Sequence, residues 1–239
     1  MATEEGLVRF DGRSFKNFNQ NNVLQIDTPT FNDLTLSIKG GIYAANSNAL
    51  VYAEFNDIQV FPSTANLGAI RFTAITESSK GEVYLGTQNG FLVLFDGSEF
   101  IKINPSKDLK IGYIRELIDF EDKIYIGGPN GFYSFDKNSK KFNSYELLIN
   151  TDVRSIATTN EKVYIGTRLH GLYILENDSV EKIDLPNETG SNQITALQKS
   201  SLDNGLWIGT SSNGIYKIIE EQLFSFPNIN SSLNEVWDI

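Results

Sequence analysis

One phrase returns along most of this chain: an aliphatic residue, an aromatic, another aliphatic, then Gly-Thr or a close variant, with Gly and an apolar residue following a short turn. Its clearest copies are Val83-Tyr84-Leu85-Gly86-Thr87 with Gly90-Phe91, Ile124-Tyr125-Ile126-Gly127 with Gly131-Phe132, Val163-Tyr164-Ile165-Gly166-Thr167 with Gly171-Leu172, and Leu206-Trp207-Ile208-Gly209-Thr210 with Gly214-Ile215. A weaker copy is Ile42-Tyr43-Ala44-Ala45 with Ala49-Leu50. The aligned positions 45, 86, 127, 166 and 209 are separated by 41, 41, 39 and 43 residues. That period matches the roughly 40–45 residues of a four-stranded propeller blade and exceeds a leucine-rich repeat. Helical repeats of similar length need apolar residues at 3.6 spacing, whereas these segments are β-branched and aromatic and are broken by Gly, Asn and Asp.

The pattern predicts an all-β chain, a β-propeller of about six four-stranded blades, occupying residues 1–239 as one domain of about 41-residue repeats. In the best-defined unit the strands are expected near 70–76, 82–86, 90–95 and 98–103, with second strands ending at Ala45, Gly86, Gly127, Gly166 and Gly209. Asp96-Gly97 and Asp11-Gly12 read as two-residue hairpin turns, because such turns need positive φ. Tyr43, Tyr84, Tyr125, Tyr164 and Trp207 are expected to pack between blades rather than to form a ligand-stacking ladder, with Tyr164 and Trp207 largely buried. Residues 1–7 align with 85–91, the end of a second strand, and residues 234–239 align with 192–197, a first strand. The terminal blade is therefore expected to be incomplete or the ring open, with edges that invite self-association.

On these residues the repeat resembles the two-component regulator propeller repeat, whose units read roughly Asn-x-Val-x-x-Ile, Leu-Trp-Ile-Gly-Thr and Gly-Leu-x-x-Phe. The best matches are Asn192-Gln193-Ile194-Thr195-Ala196-Leu197 with Leu206-Trp207-Ile208-Gly209-Thr210 and Gly214-Ile215-Tyr216-Lys217-Ile218, and Asn234-Glu235-Val236-Trp237-Asp238-Ile239; residues 19–60 match poorly. The resemblance implies the periplasmic or extracellular sensor of a hybrid histidine kinase of Bacteroidetes type, recognising carbohydrate breakdown products, with signalling domains of the parent protein as partners. Related propellers in secretion-associated proteins keep an interaction scaffold open as the alternative.

Composition narrows the chemistry. A net charge of -10 and scattered Lys and Arg speak against nucleic acid, whose phosphates attract basic surfaces. The chain has no cysteine and one histidine, His170, so thiol chemistry and multi-histidine metal sites are excluded and a catalytic triad has a single candidate base. His170 reads first as a polar turn residue. Gly209-Thr210-Ser211-Ser212-Asn213-Gly214 and Gly127-Gly128-Pro129-Asn130-Gly131 lack the Gly-Lys-Ser/Thr ending of a phosphate loop. No cofactor, metal, catalytic residue or direct membrane insertion is expected, and the N-terminus has neither the basic start nor the apolar run of a signal peptide.

What remains is polarity at one end of the strands. First strands open near Arg71, Tyr113, Arg115, Arg154, Asn192 and Gln193, and second strands end near Arg168 and His170. A four-stranded meander brings these two groups to one rim, where arginines hold carboxylates or sulfates through paired hydrogen bonds. These eight residues are the candidate ligand site, for a small anionic molecule or an oligosaccharide. The plainer reading is that they solvate the channel and pair with Glu116 or Asp152.

Overall fold

The computed structural model describes residues 1–226 apart from 56, 64–66, 69, 160–161 and 187–192; Asn192 and the expected first strand at 234–239 lie outside the described residues. The chain divides into two compact units, residues 1–124 with 136–142 and residues 125–135 with 143–239, and the division passes through the fourth sheet.

The first unit opens with a three-stranded sheet of β1 (Ala2–Thr3), β2 (Gly6–Phe10) and β3 (Phe15–Phe18). A four-stranded meander follows: β4 (Phe31–Leu36), β5 (Ile42–Asn46), β6 (Ala49–Glu54) and β7 (Asp57–Pro62). The third sheet is β8 (Phe72–Glu77), β9 (Val83–Thr87), β10 (Leu92–Phe95) and β11 (Phe100–Ile103). The fourth is β12 (Glu116–Phe120), β13 (Lys123–Gly128), β14 (Gly131–Asp136) and β15 (Phe142–Ser144), followed by a single 3-10 turn, Glu146–Leu148. In the second unit come β16 (Val153–Thr158), β17 (Val163–Thr167), β18 (Leu172–Glu176) and β19 (Ser179–Ile183), then β20 (Ile194–Lys199), β21 (Leu206–Thr210), β22 (Ile215–Ile219) and β23 (Gln222–Phe226). Among the described residues the repeat is thus five four-stranded antiparallel sheets and one of three strands.

Sheets pack face to face within each unit, so their middle strands are buried on both sides. In the first unit Tyr43, Ala45 and Leu50 of the second sheet share a core with Ile75, Leu85, Val93 and Phe95 of the third. In the second unit Tyr164 and Leu172 do the same with Leu197, Ile208 and Tyr216. Tyr84 and Tyr164 are buried as expected, but Trp207 is only half-buried. Its ring meets Phe226, at 5.5 Å between centroids, and the Lys217 ammonium, at 4.3 Å.

Second strands run one residue past the expected positions, to Asn46, Thr87, Gly128, Thr167 and Thr210. Three of these strands end on a threonine that is tied into the following turn. The Thr167 hydroxyl donates to Gly171 O at 2.8 Å and accepts the His170 N–H at 3.0 Å; Thr210 repeats this with Gly214 O at 2.8 Å and the Asn213 N–H at 2.9 Å. Gly90, in the corresponding turn of the third sheet, has φ of 83°, and a β-carbon there would lie 2.6 Å from Gly112 N.

The Asp-Gly pairs are not two-residue turns. Only Gly12 and Gly97 of these residues have positive φ, while the Asp96 carboxylate caps the N–H groups of Ser98 and Glu99, both at 2.9 Å. An Asx-capped loop therefore replaces the expected geometry. The two-residue left-handed turn falls instead at Asn177-Asp178, with φ of 51° and 62°, and at Glu220-Glu221, with 47° and 67°. The first sheet's turn between β1 and β2 is also shorter than that of the third sheet: Thr3 pairs directly with Gly6, so the expected alignment of Leu7 with Phe91 shifts by one, to Leu92.

Candidate functional site

The third, fifth and sixth sheets close one end in the same way. The N–H of the residue after the second strand donates to the carbonyl of a residue just before the first strand: Gln88 to Arg71 at 3.1 Å, Arg168 to Asp152 at 2.8 Å and Ser211 to Gln193 at 3.1 Å. The two loops that carry the candidate residues therefore do share an end in each of these sheets.

First strands also carry a recurrent irregularity that the sequence did not reveal. The register shifts between Phe31 and Asp33, Phe72 and Ala74, Val153 and Ser155, and Ile194 and Ala196. A bulge gives one residue a direction of its own. In the first unit these residues are Asn32, whose amide donates to Phe72 O at 2.6 Å, and Thr73, whose hydroxyl donates to Ile114 O at 2.6 Å. The position after the bulge completes the link: Asp33 accepts the Ile75 N–H at 2.9 Å, and in the second unit Ser155 accepts the Leu197 N–H at 3.1 Å. First strands are sheet edges, and these side chains satisfy backbone groups a lone edge would leave open.

In the second unit the bulge residues are Thr195 and Arg154. The Arg154 guanidinium lies 3.2 Å from the half-buried Asp152 carboxylate, and the Arg168 guanidinium approaches the same oxygen at 3.9 Å. Asp152 thus gathers two candidate arginines at one sheet end, with His170 exposed two residues beyond Arg168 and Gln193 half-buried before β20. In the first unit Arg71 and Tyr113 are exposed and Arg115 is half-buried; Ile114, between the last two, donates its N–H to Thr87 O at 3.1 Å, which holds this segment beside the end of β9.

Two further groups emerge from the packing. Glu116 and Asp33 stand on first strands of the first unit; burial and the Asp33 charge push the Glu116 carboxyl up to about 8, against the pull of Arg115. Burial raises Asp33 to about 6 although Ile75 and Leu34 N–H groups favour its ionised form. Only tertiary packing places these carboxyls together. The second group surrounds a cavity of about 270 Å³ in the second unit, where Lys162 pairs with Glu221 at 2.7 Å and Glu176 at 3.4 Å beside Tyr164 and Asn204. Its sequence signal was Glu220-Glu221, two acidic residues in a left-handed turn. Among the described residues no group of three or more His, Asp and Glu side chains is placed to hold a metal ion.

No protein-family model matches the chain, and no curated protein matches it. Solved structures do. The extracellular domain of a hybrid two-component system from B. thetaiotaomicron superposes with a TM-score of 0.75 and 23% identity, covering 96% of this chain and 33% of that one. The fold is a β-propeller. A second such extracellular domain from B. thetaiotaomicron gives a TM-score of 0.67 at 17% identity, over 99% of this propeller and 33% of that chain. Virginiamycin B lyase from Staphylococcus aureus gives 0.69 at 14% identity, over 85% of this propeller and 72% of the lyase. This propeller spans about a third of the length of the two-component domains it matches. Among the described residues no helix is long and apolar enough to cross a membrane.

Proposed function

We propose that this propeller is a ligand-sensing module of a two-component signalling protein, working outside the cytoplasm and without catalysis of its own. The observation that carries the reading is the Arg154–Asp152–Arg168 cluster at a sheet end, beside the exposed His170. Asp152 orients both guanidiniums while leaving Arg168 open to solvent, so an incoming carboxylate, sulfate or sugar hydroxyl meets oriented donors. Gln193 in the same unit supplies a further polar contact in this reading, while Arg71, Tyr113 and Arg115 of the first unit remain candidate ligand residues on sequence grounds alone. Asn192 keeps its place among the ligand residues on sequence grounds. The two-component domains of similar fold support a sensory role, and the solitary His170 leaves an acid–base mechanism without a second histidine partner.

Titration calorimetry with acidic oligosaccharides and small organic acids tests this. A charge-assisted contact contributes about 1.5–3 kcal/mol, so Arg154→Ala or Arg168→Ala weakens binding about ten- to a hundredfold. Binding that survives both substitutions sinks the site. Turnover of a bound ligand, read by chromatography of the mixture, sinks the non-catalytic part.

A protein-interaction scaffold is the second reading, favoured by Leu169 and Tyr113, large side chains exposed at the same sheet ends. Absence of any small-molecule binding, together with loss of a protein complex on Leu169→Asp, selects it.

A further inference from the structure

In the third sheet Phe95 and Phe100 oppose each other across β10 and β11 and are 2% and 5% exposed. The second sheet is what covers them. The Phe95 ring lies 4.8 Å from that of Phe61 on β7, and both phenylalanines share one core with Tyr43, Ala45 and Leu50.

The first sheet carries the same pair in the same register. Phe10 ends β2, Phe15 begins β3, they oppose each other, and an Asp-Gly loop joins them just as Asp96-Gly97 joins the other two. Their rings stack at 4.5 Å, yet they are 53% and 68% exposed. Val8, the counterpart of the fully buried Val93, is only half-buried. The opposite face of this sheet is ordinary: Leu7 and Phe18 are buried against Phe31, Ala44 and Val51. One face is thus packed on the second sheet while the other presents an exposed aromatic pair.

We propose that the Phe10–Phe15 face is the docking surface for one further sheet of this same repeat, built like β4–β7. The occupant carries an aromatic on its fourth strand in the place of Phe61 and an aromatic on its second strand in the place of Tyr43. Its chemistry follows from the covered copy, because stacked repeats bury one another through nearest-neighbour faces that repeat with the sequence. An open pair of stacked phenylalanines is the kind of apolar patch that marks an interaction site. The solved two-component domains, three times as long as this chain, have the length for additional sheets of this kind.

The test extends the whole chain with a copy of its own residues 28–84 fused ahead of Met1, which occupies the place of Leu85. The copy supplies a sheet like β4–β7 and the strand segments the first sheet lacks. The extended protein should melt at least about 5 °C higher and bind less of the dye ANS. Phe10→Ser with Phe15→Ser should leave the melting of the original chain within about 1 °C and lower that of the extended protein by about 5 °C or more. Phe95→Ser in the original chain is the control showing that loss of a covered phenylalanine is read. Equal effects of the double substitution in both proteins, or no change in melting and dye binding on extension, overturn the proposal. So does a dimer of the original chain that the double substitution dissociates, since a second copy would then occupy the face.

Discussion

A β-carbon on Gly86 would lie 2.5 Å from Cγ2 of Ile114, so the glycine of the repeated phrase makes room for the segment that leads into β12. Ile114 itself is fully buried. Gly86→Ala must displace that segment, and overpacking of this kind costs about 1–3 kcal/mol. Combined with Ile114→Leu the cost should shrink, because leucine carries no methyl branch on its β-carbon; urea denaturation of the single and double variants checks the coupling. Additive effects would separate the two residues.

The aromatic position of the phrase is not energetically uniform. Tyr84 is fully buried, and Tyr84→Ala should cost about 3–5 kcal/mol, the range for a large core aromatic. Trp207, half-buried against Phe226 and Lys217, should cost about 1–2 kcal/mol on substitution by alanine, since area left in water contributes nothing to transfer. Equal denaturation midpoints for the two variants would contradict the difference in packing.

The turn threonines offer a third test. Thr167→Val and Thr210→Val keep size and shape but delete a buried hydroxyl that both donates and accepts in its turn. Each should lose about 1–2 kcal/mol, and amide exchange at His170 and Asn213 should accelerate in the respective variant. Unchanged exchange would remove the turn-locking role.

Stability should fall as the solution becomes alkaline. Glu116 and Asp33 are raised in the folded protein, so the unfolded chain releases their protons first, and their stability contribution, complete only below the ordinary values of 4.5 and 3.8, drains away as pH rises until the folded carboxyls titrate at about 8 and about 6. Glu116→Gln, neutral at every pH, should flatten this loss and stabilise the protein at pH 8.5 by about 1–3 kcal/mol relative to wild type. Parallel pH profiles of wild type and variant would show that Glu116 ionises as freely folded as unfolded.

The period of 41, 41, 39 and 43 residues, the strand alternation and the turn residues were enough to read six β-meanders, because a blade is a local structure whose strands pair with their immediate sequence neighbours. The shared sheet end of Arg154 and Arg168 was legible for the same reason: it follows from strand order alone. Tertiary structure decided the rest. The bulge that gives Arg154 its direction leaves no residue signature, since Asn32, Thr73 and Arg154 occupy it alike. The Asp33–Glu116 proximity joins strands far apart in sequence, and Phe10 and Phe95 are the same residue in the same local setting with opposite exposure. Local sequence dictates which face of a strand is apolar; only the packed neighbour decides whether that face is covered.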